Sequence, residues 1–91
     1  MFGFLKNKNY QAGQTVQVKT DDLIIPRKFS AKIPKTAKMA EKYEYYRRYR
    51  RFQSPIVANV VRGRLELCDG YTSYLLAKAF NIKKVGVRIR A

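Results

Sequence analysis

The sequence predicts a small α+β domain, two helices against one mixed sheet, in the order β–α–β–β–α–β. Three observations carry that expectation. Short segments with apolar residues at every second position flank the helix-like runs, as half-buried strands do. Residues 35–51 contain no glycine or proline and are rich in helix formers. At Asp69-Gly70 a strand-like run hands over at once to a helix-like one. The 91 residues make a single domain, because two halves could not each bury an adequate core. Residues 1–14 read as a tail whose Phe2, Phe4 and Leu5 dock on the body, and residues 15–91 as the domain itself.

Taken in order, Val16 and Val18 alternate, and a short apolar run at Leu23, Ile24 and Ile25 ends at Pro26, giving an extended segment with a kink or two short strands. Residues 27–35 read as a basic connector. Pro34 stands just ahead of the first helix, where proline is tolerated. The β-branched run from Pro55 to Val61 and the alternation of Leu65 and Leu67 predict two strands joined at Arg62-Gly63-Arg64 by a short hairpin connection. A second helix covers residues 71–80 and ends at Asn81, a residue that accepts a left-handed cap. Val85, Val87 and Ile89 alternate along the last strand.

Charge dominates the composition. Twenty Lys and Arg against six Asp and Glu give +14 at pH 7, with a pI near 10.3. A compact domain so unbalanced attracts nucleic acid, an anionic surface or an acidic protein. No histidine is present, which excludes histidine acid–base chemistry and Ser-His-Asp or Cys-His catalysis. One cysteine, Cys68, permits no internal disulfide and fits a reducing cytoplasm. A structural zinc would need about four ligands, and none is expected. No apolar run approaches the roughly 18 residues of a membrane span.

Projected at helical spacing, the first helix places Met39, Tyr43 and Tyr46 on one face, with Tyr49 at its edge, as a core-facing stripe. Arg47, Arg48 and Arg51 gather opposite, with Glu44 between them. Cations favour a helix C-terminus, so a solvated face is the plain explanation. Four arginines in five residues (Arg47, Arg48, Arg50 and Arg51) exceed that need, however. Guanidinium forks match phosphate oxygens, and the interleaved Tyr45 and Tyr49 offer stacking platforms. The second helix carries Thr72, Leu75, Leu76, Ala79 and Phe80 on one stripe, which is expected to be buried. At its start Gly70 permits a close turn, and the first helical N–H groups lack internal partners. Asp69 could simply cap the helix there. Alternatively Gly70, Thr72 and Ser73 form an anion cradle.

Several of these segments together resemble the ParB/sulfiredoxin-like family: Ser54-Pro55-Ile56-Val57, Leu67 to Gly70, Ala77 to Ile82, and Val85-Gly86-Val87. Residues 16–26, with their closing proline, are similar to the family's opening strand, so the resemblance covers residues 15–90. It implies a phosphate-binding loop before the second helix. That loop reads G-E-R-R in ParB proteins, where it serves CTP binding and hydrolysis, and G-C-H-R in sulfiredoxin, with a catalytic cysteine. Here the aligned residues are Gly70, Tyr71, Thr72 and Ser73. Both signature arginines are therefore replaced, Tyr71 stands at the cysteine position, and Cys68 lies before the glycine. The sulfiredoxin pattern Lys-x-x-Ser-x-x-x-Thr, started at Lys38, falls on Glu41 and Tyr45.

The resulting expectation is a stand-alone ParB-like domain of bacterial, phage or plasmid origin that binds nucleic acid through charge. Arg47, Arg48, Arg50 and Arg51, with Tyr45 and Tyr49, supply the main contact; Arg62, Arg64, Arg88 and Arg90 extend it. The resemblance also implies a phosphate cradle of Asp69, Gly70, Tyr71, Thr72 and Ser73 with Lys38. Two alternatives stay open. One is a nucleotide (CTP or ATP, with Mg²⁺) site at the Gly70 loop, serving a hydrolase or nuclease of ParB-like type. The other is an accessory subunit docking an acidic protein. No metal or other cofactor is assigned, and a homodimer is compatible with the sequence.

Overall fold

The computed structural model describes residues 10–90, so the expected docking of Phe2, Phe4 and Leu5 lies outside the described residues. Strand β1 (Thr15–Lys19) is followed by one 3₁₀ turn (Thr20–Asp22), then α1 (Arg27–Ser30) and α2 (Thr36–Tyr49). Next come β2 (Ile56–Val61), β3 (Arg64–Asp69), α3 (Tyr71–Ala79) and β4 (Lys84–Arg90). The strands form one sheet in the order β1-β4-β2-β3, parallel between β2 and β4 and antiparallel elsewhere. The expected α+β class and element order hold. The addition is α1, a single turn of helix inside the stretch read as a connector. Residues 10–14 also join the body: Tyr10 packs against the core, and Gly13 and Gln14 exchange backbone hydrogen bonds with Ile89.

Local chemistry explains the corners. Arg62 and Gly63 both have positive φ (53° and 76°), the two-residue turn whose twist matches its flanking strands. Asn81 closes α3 at φ 58°; its N–H donates to the Lys78 carbonyl and that of Ile82 to the Ala77 carbonyl, a Schellman pairing. Thr20 is buried and donates its hydroxyl to the Ile82 carbonyl at 2.7 Å, tying the end of β1 to the loop before β4. From there the chain reaches the far edge of the sheet, where Ile24 bonds to Leu65 and Leu67 of β3 at 2.9 Å each.

Alternation sorts the sheet into two faces. Ile56, Ala58, Leu65, Leu67, Val85, Val87 and Ile89 are buried together with Leu23 and Ala77. Lys84, Arg88 and Arg90 therefore point to the opposite, solvated face, as do Lys19, Arg64 and Glu66 on their strands.

Both helical stripes differ from expectation. In α3 the buried residues are Ser73, Leu76 and Ala77, whereas Phe80 is 37% exposed and Ala79 is exposed. Gly70 and Ser73 are held against the start of β2, and this anchorage rotates the helix away from its most apolar face. Phe80 instead receives Tyr43 and Tyr46 of α2, at ring-centroid distances of 5.5 and 5.1 Å. Consequently α2 buries no residue fully and attaches to α3 through stacked rings rather than to the sheet.

Gly70 sits at φ 84°, and a Cβ there would fall 2.2 Å from the Pro55 carbonyl oxygen. Gly63 has φ 76° with open space around it. Gly70→Ala should cost about 3 kcal/mol or more, from left-handed strain plus overpacking. Gly63→Ala should cost only about 1 kcal/mol. Urea unfolding of both variants checks this, and equal costs would refute the contact.

Candidate functional site

The basic cluster lies at the C-terminal end of α2, which stops where Arg50 turns left-handed (φ 58°) and donates its N–H to the Tyr46 carbonyl at 2.7 Å. Arg47 is engaged: its guanidinium donates to Glu44 at 3.1 Å, and that hydrogen bond raises its pKa. Among the described residues no carboxylate pairs with Arg48, Arg50 or Arg51, all of them exposed. Beside them Tyr45 and Tyr49 stand at (i, i+4), with ring centroids 4.6 Å apart, and Tyr49 is 51% exposed. Tyr46 faces the other way and stacks on Phe52 and Phe80. The helix is thus split between rings that attach it and rings that accompany the arginines.

The other arginines do not extend this surface. Arg88 and Arg90 leave β4 on the sheet face opposite the core, whereas α2 and α3 lie on the core side. Arg62 and Arg64 belong to the β2–β3 hairpin, with Arg64 on the same solvated face as Arg88 and Arg90. Two basic surfaces therefore exist where the sequence suggested one. Strand alternation could have revealed this, because Arg88 and Arg90 alternate with buried Val87 and Ile89.

At the β3–α3 junction the expected cradle is only partly assembled. Gly70 is buried against Pro55 and Ile56, so the close approach that its missing side chain permits is made by the protein's own backbone. Ser73 is 1% exposed and donates its hydroxyl to the Ser54 carbonyl at 2.6 Å, which ties α3 to the residues before β2. Asp69 accepts the N–H of Gly70 at 2.8 Å rather than capping the helix, and no side chain caps α3. Thr72 and Tyr71 are half-buried. Tyr71 packs on Phe29 of α1 at 5.4 Å and on Tyr74 at 6.1 Å. Lys38 is exposed and makes no hydrogen bond to the junction; Lys42, one turn on, donates to the Ser54 hydroxyl at 2.9 Å. Lys42 and Phe29 were missed in the sequence, although the (i, i+4) spacing from Lys38 puts Lys42 on the same side of the helix.

Cys68 is the residue at which the β2–β3 register shifts; it is half-buried, and Arg90 Nη1 lies 3.8 Å from its sulfur. Farther along α3, Lys78 pairs with Asp21, raising the lysine pKa and lowering that of the carboxyl through their hydrogen bond. The described residues contain no group of three or more side chains able to hold a metal.

This geometry has counterparts among solved structures. Sulfiredoxin from Arabidopsis thaliana superposes with a TM-score of 0.70 at 18% identity, over 85% of this chain and 84% of that one. A pNOB8-like ParB N-domain gives 0.67 at 20% identity, over 84% of this chain and 29% of that one. Caulobacter crescentus ParB complexed with CTP-gamma-S gives 0.65 at 14%, over 86% of this chain and 44% of that one. The chain thus spans most of the sulfiredoxin and less than half of each ParB chain. No protein-family model and no curated protein matches the sequence. What is shared at these identities is the fold, and this chain has the ParB/sulfiredoxin-like one.

Removing the Ser73 hydroxyl leaves the Ser54 carbonyl without its buried donor, so Ser73→Ala should cost about 1–3 kcal/mol. Thr72→Ala should stay within about 0.5 kcal/mol of the parent. Thermal unfolding of the pair separates them; a neutral Ser73→Ala would return that hydroxyl to the candidate cradle.

Proposed function

On a ParB/sulfiredoxin-like fold with uncompensated arginines, we propose that the domain binds nucleic acid through the C-terminal end of α2, by charge and without reading sequence. The observation that carries the reading is the exposure of Arg48, Arg50 and Arg51 with no carboxylate partner, next to the Tyr45–Tyr49 pair. A helix dipole accounts for one or two cations in a last turn, not for this density. Arginine supplies phosphate contacts, and an exposed tyrosine supplies stacking that every base accepts. The net charge of +14 adds long-range attraction of the same sign. Contacts of this kind go to phosphates rather than to base edges, so register on the polymer would be loose. The chromosome-partitioning role in the name of the Caulobacter protein favours DNA as the polymer.

Fluorescence anisotropy of a labelled duplex between about 50 and 300 mM salt tests this. Engagement of about six phosphates gives a log–log slope near −5, and Arg48→Gln with Arg51→Gln should make it shallower by about 2. A flat salt response, or a slope the substitutions leave unchanged, would sink the reading.

A second reading rests on the uncapped start of α3, where the N–H groups of the first turn receive no side-chain oxygen. The ParB structure solved with CTP-gamma-S makes a nucleotide the natural candidate there. CTP with Mg²⁺ should then bind to the protein, and Thr72→Ala should weaken it about tenfold, the loss of one charge-assisted hydrogen bond. Calorimetric titration showing no CTP binding, or no effect of the substitution, excludes this site.

A further inference from the structure

A groove of about 500 Å³ opens between the two edge strands of the sheet, and neither the α2 arginines nor Gly70 lines it. One wall is β1, the other the start of β3, and the Thr20–Ile24 segment that runs from one edge to the other closes its end. Lys19, Lys84 and Arg64 line it, with Asp22 as the single carboxylate. Three cations against one anion leave +2 in the groove. Asp22 forms no ion pair with any of them.

The placement of the two lysines is the second observation. Lys19 and Lys84 are direct cross-strand partners at the end of the β1–β4 ladder, on one face. Like charges directly opposite one another destabilise a ladder. Among the described residues no ion pair offsets the cost here, and a bound anion would remove it. Arg64 lines the groove from the opposite strand, so cations stand on both of its sides. The half-buried Val18 and Tyr10 supply its accessible apolar surface, while Leu23 and Leu65 beneath them belong to the buried core. Its volume falls in the range of small-molecule sites, and its mostly polar lining suits a charged ligand.

We propose that this groove is a binding site for a small phosphomonoester that carries a flat or apolar ring, with Lys19, Lys84 and Arg64 holding the phosphate. A phosphomonoester is close to a dianion at neutral pH, since its second proton leaves near pH 6, and so matches the charge of the groove. Arg64 contributes a fork and the lysines point charges, a combination suited to three phosphate oxygens. The ring lies on Tyr10. The inference rests on neither reading given above for α2 or α3.

The test is a titration of the ¹⁵N-labelled full chain with 5′-AMP as the probe, and with adenosine and inorganic phosphate separately. AMP should move the amide signals of Lys19, Arg64 and Lys84 and raise the Tm. Adenosine and phosphate alone should each bind at least about tenfold more weakly, as the loss of roughly 1.4 kcal/mol or more requires. The double variant Lys84→Gln with Arg64→Gln should lose at least tenfold in AMP affinity. Without ligand, Lys84→Gln alone should keep or raise the Tm, because it removes the lysine–lysine repulsion, so weak binding cannot be ascribed to unfolding. The proposal is overturned by AMP shifts at residues 70–73 instead of the groove, or by unchanged affinity in the double variant. It is also overturned if adenosine binds as tightly as AMP, or if a short duplex moves the groove signals while AMP does not.

Discussion

Gly70 has no Cβ, and the backbone at the start of β2 occupies the space where one would lie. That contact, with the hydrogen bond from Ser73 to the Ser54 carbonyl, joins the β3–α3 junction to the first residues of β2. The remainder of the helical layer follows. Fixed at its N-terminus, α3 must turn Ser73, Leu76 and Ala77 inward, which leaves Phe80 at the surface. Phe80 then becomes the platform on which Tyr43 and Tyr46 stack, and those rings are the chief attachment of α2. The Lys42–Ser54 hydrogen bond brings α2 to the same residue from the other side. A backbone-to-backbone approach of one glycine thus sets the position of a helix that it never touches.

The distribution of charge follows from the same layering. With α3 on one face of the sheet, strand alternation sends Lys19, Lys84, Arg88, Arg90 and Arg64 to the other. The arginines of α2 are left on the helical side. Two ion pairs are formed among the described residues, Arg47–Glu44 and Lys78–Asp21, and both are exposed. Exposed pairs of this kind contribute little to stability, so most of the positive charge stands uncompensated against a small core. Each of the two basic surfaces is held by the fold at an electrostatic cost that anion binding would offset.

Much of the fold was legible because it depends on local chemistry. The hairpin at Arg62-Gly63, the left-handed cap at Asn81 and the alternation of β4 are decided by the residues themselves, and the structure keeps all three. What was not legible depends on contacts distant in sequence. The rotation of α3 cannot be read from its own hydrophobic stripe, because Pro55 and Ser54 impose it. The pairing of Ile24 with β3 joins residues about forty positions apart, and so does the groove that the crossing segment closes. In the candidate sites, the arginine density of α2 was visible in the sequence, but the separation of Arg88 and Arg90 from it required placing α2 and β4 on opposite sides.

The Gly70 junction shows how a motif can have a structural reason of its own. The resemblance to ParB and sulfiredoxin sequences leaned on this glycine, and in those families the residues after it handle phosphate. In this chain the glycine has a sufficient reason of its own, since any side chain would strike Pro55. Ser73 likewise has a structural reason, its bond to Ser54. Neither residue is then evidence for a ligand. What can still favour an anion there is the set of uncapped N–H groups and the half-buried Thr72, a weaker cradle than one with two arginines. Beside the junction the positive charge is that of Lys42, which donates to Ser54, while the arginines left unpaired among the described residues stand at the far end of α2. The junction is therefore a packing element of the fold whatever it binds, because Gly70 and Ser73 are held by Pro55 and Ser54.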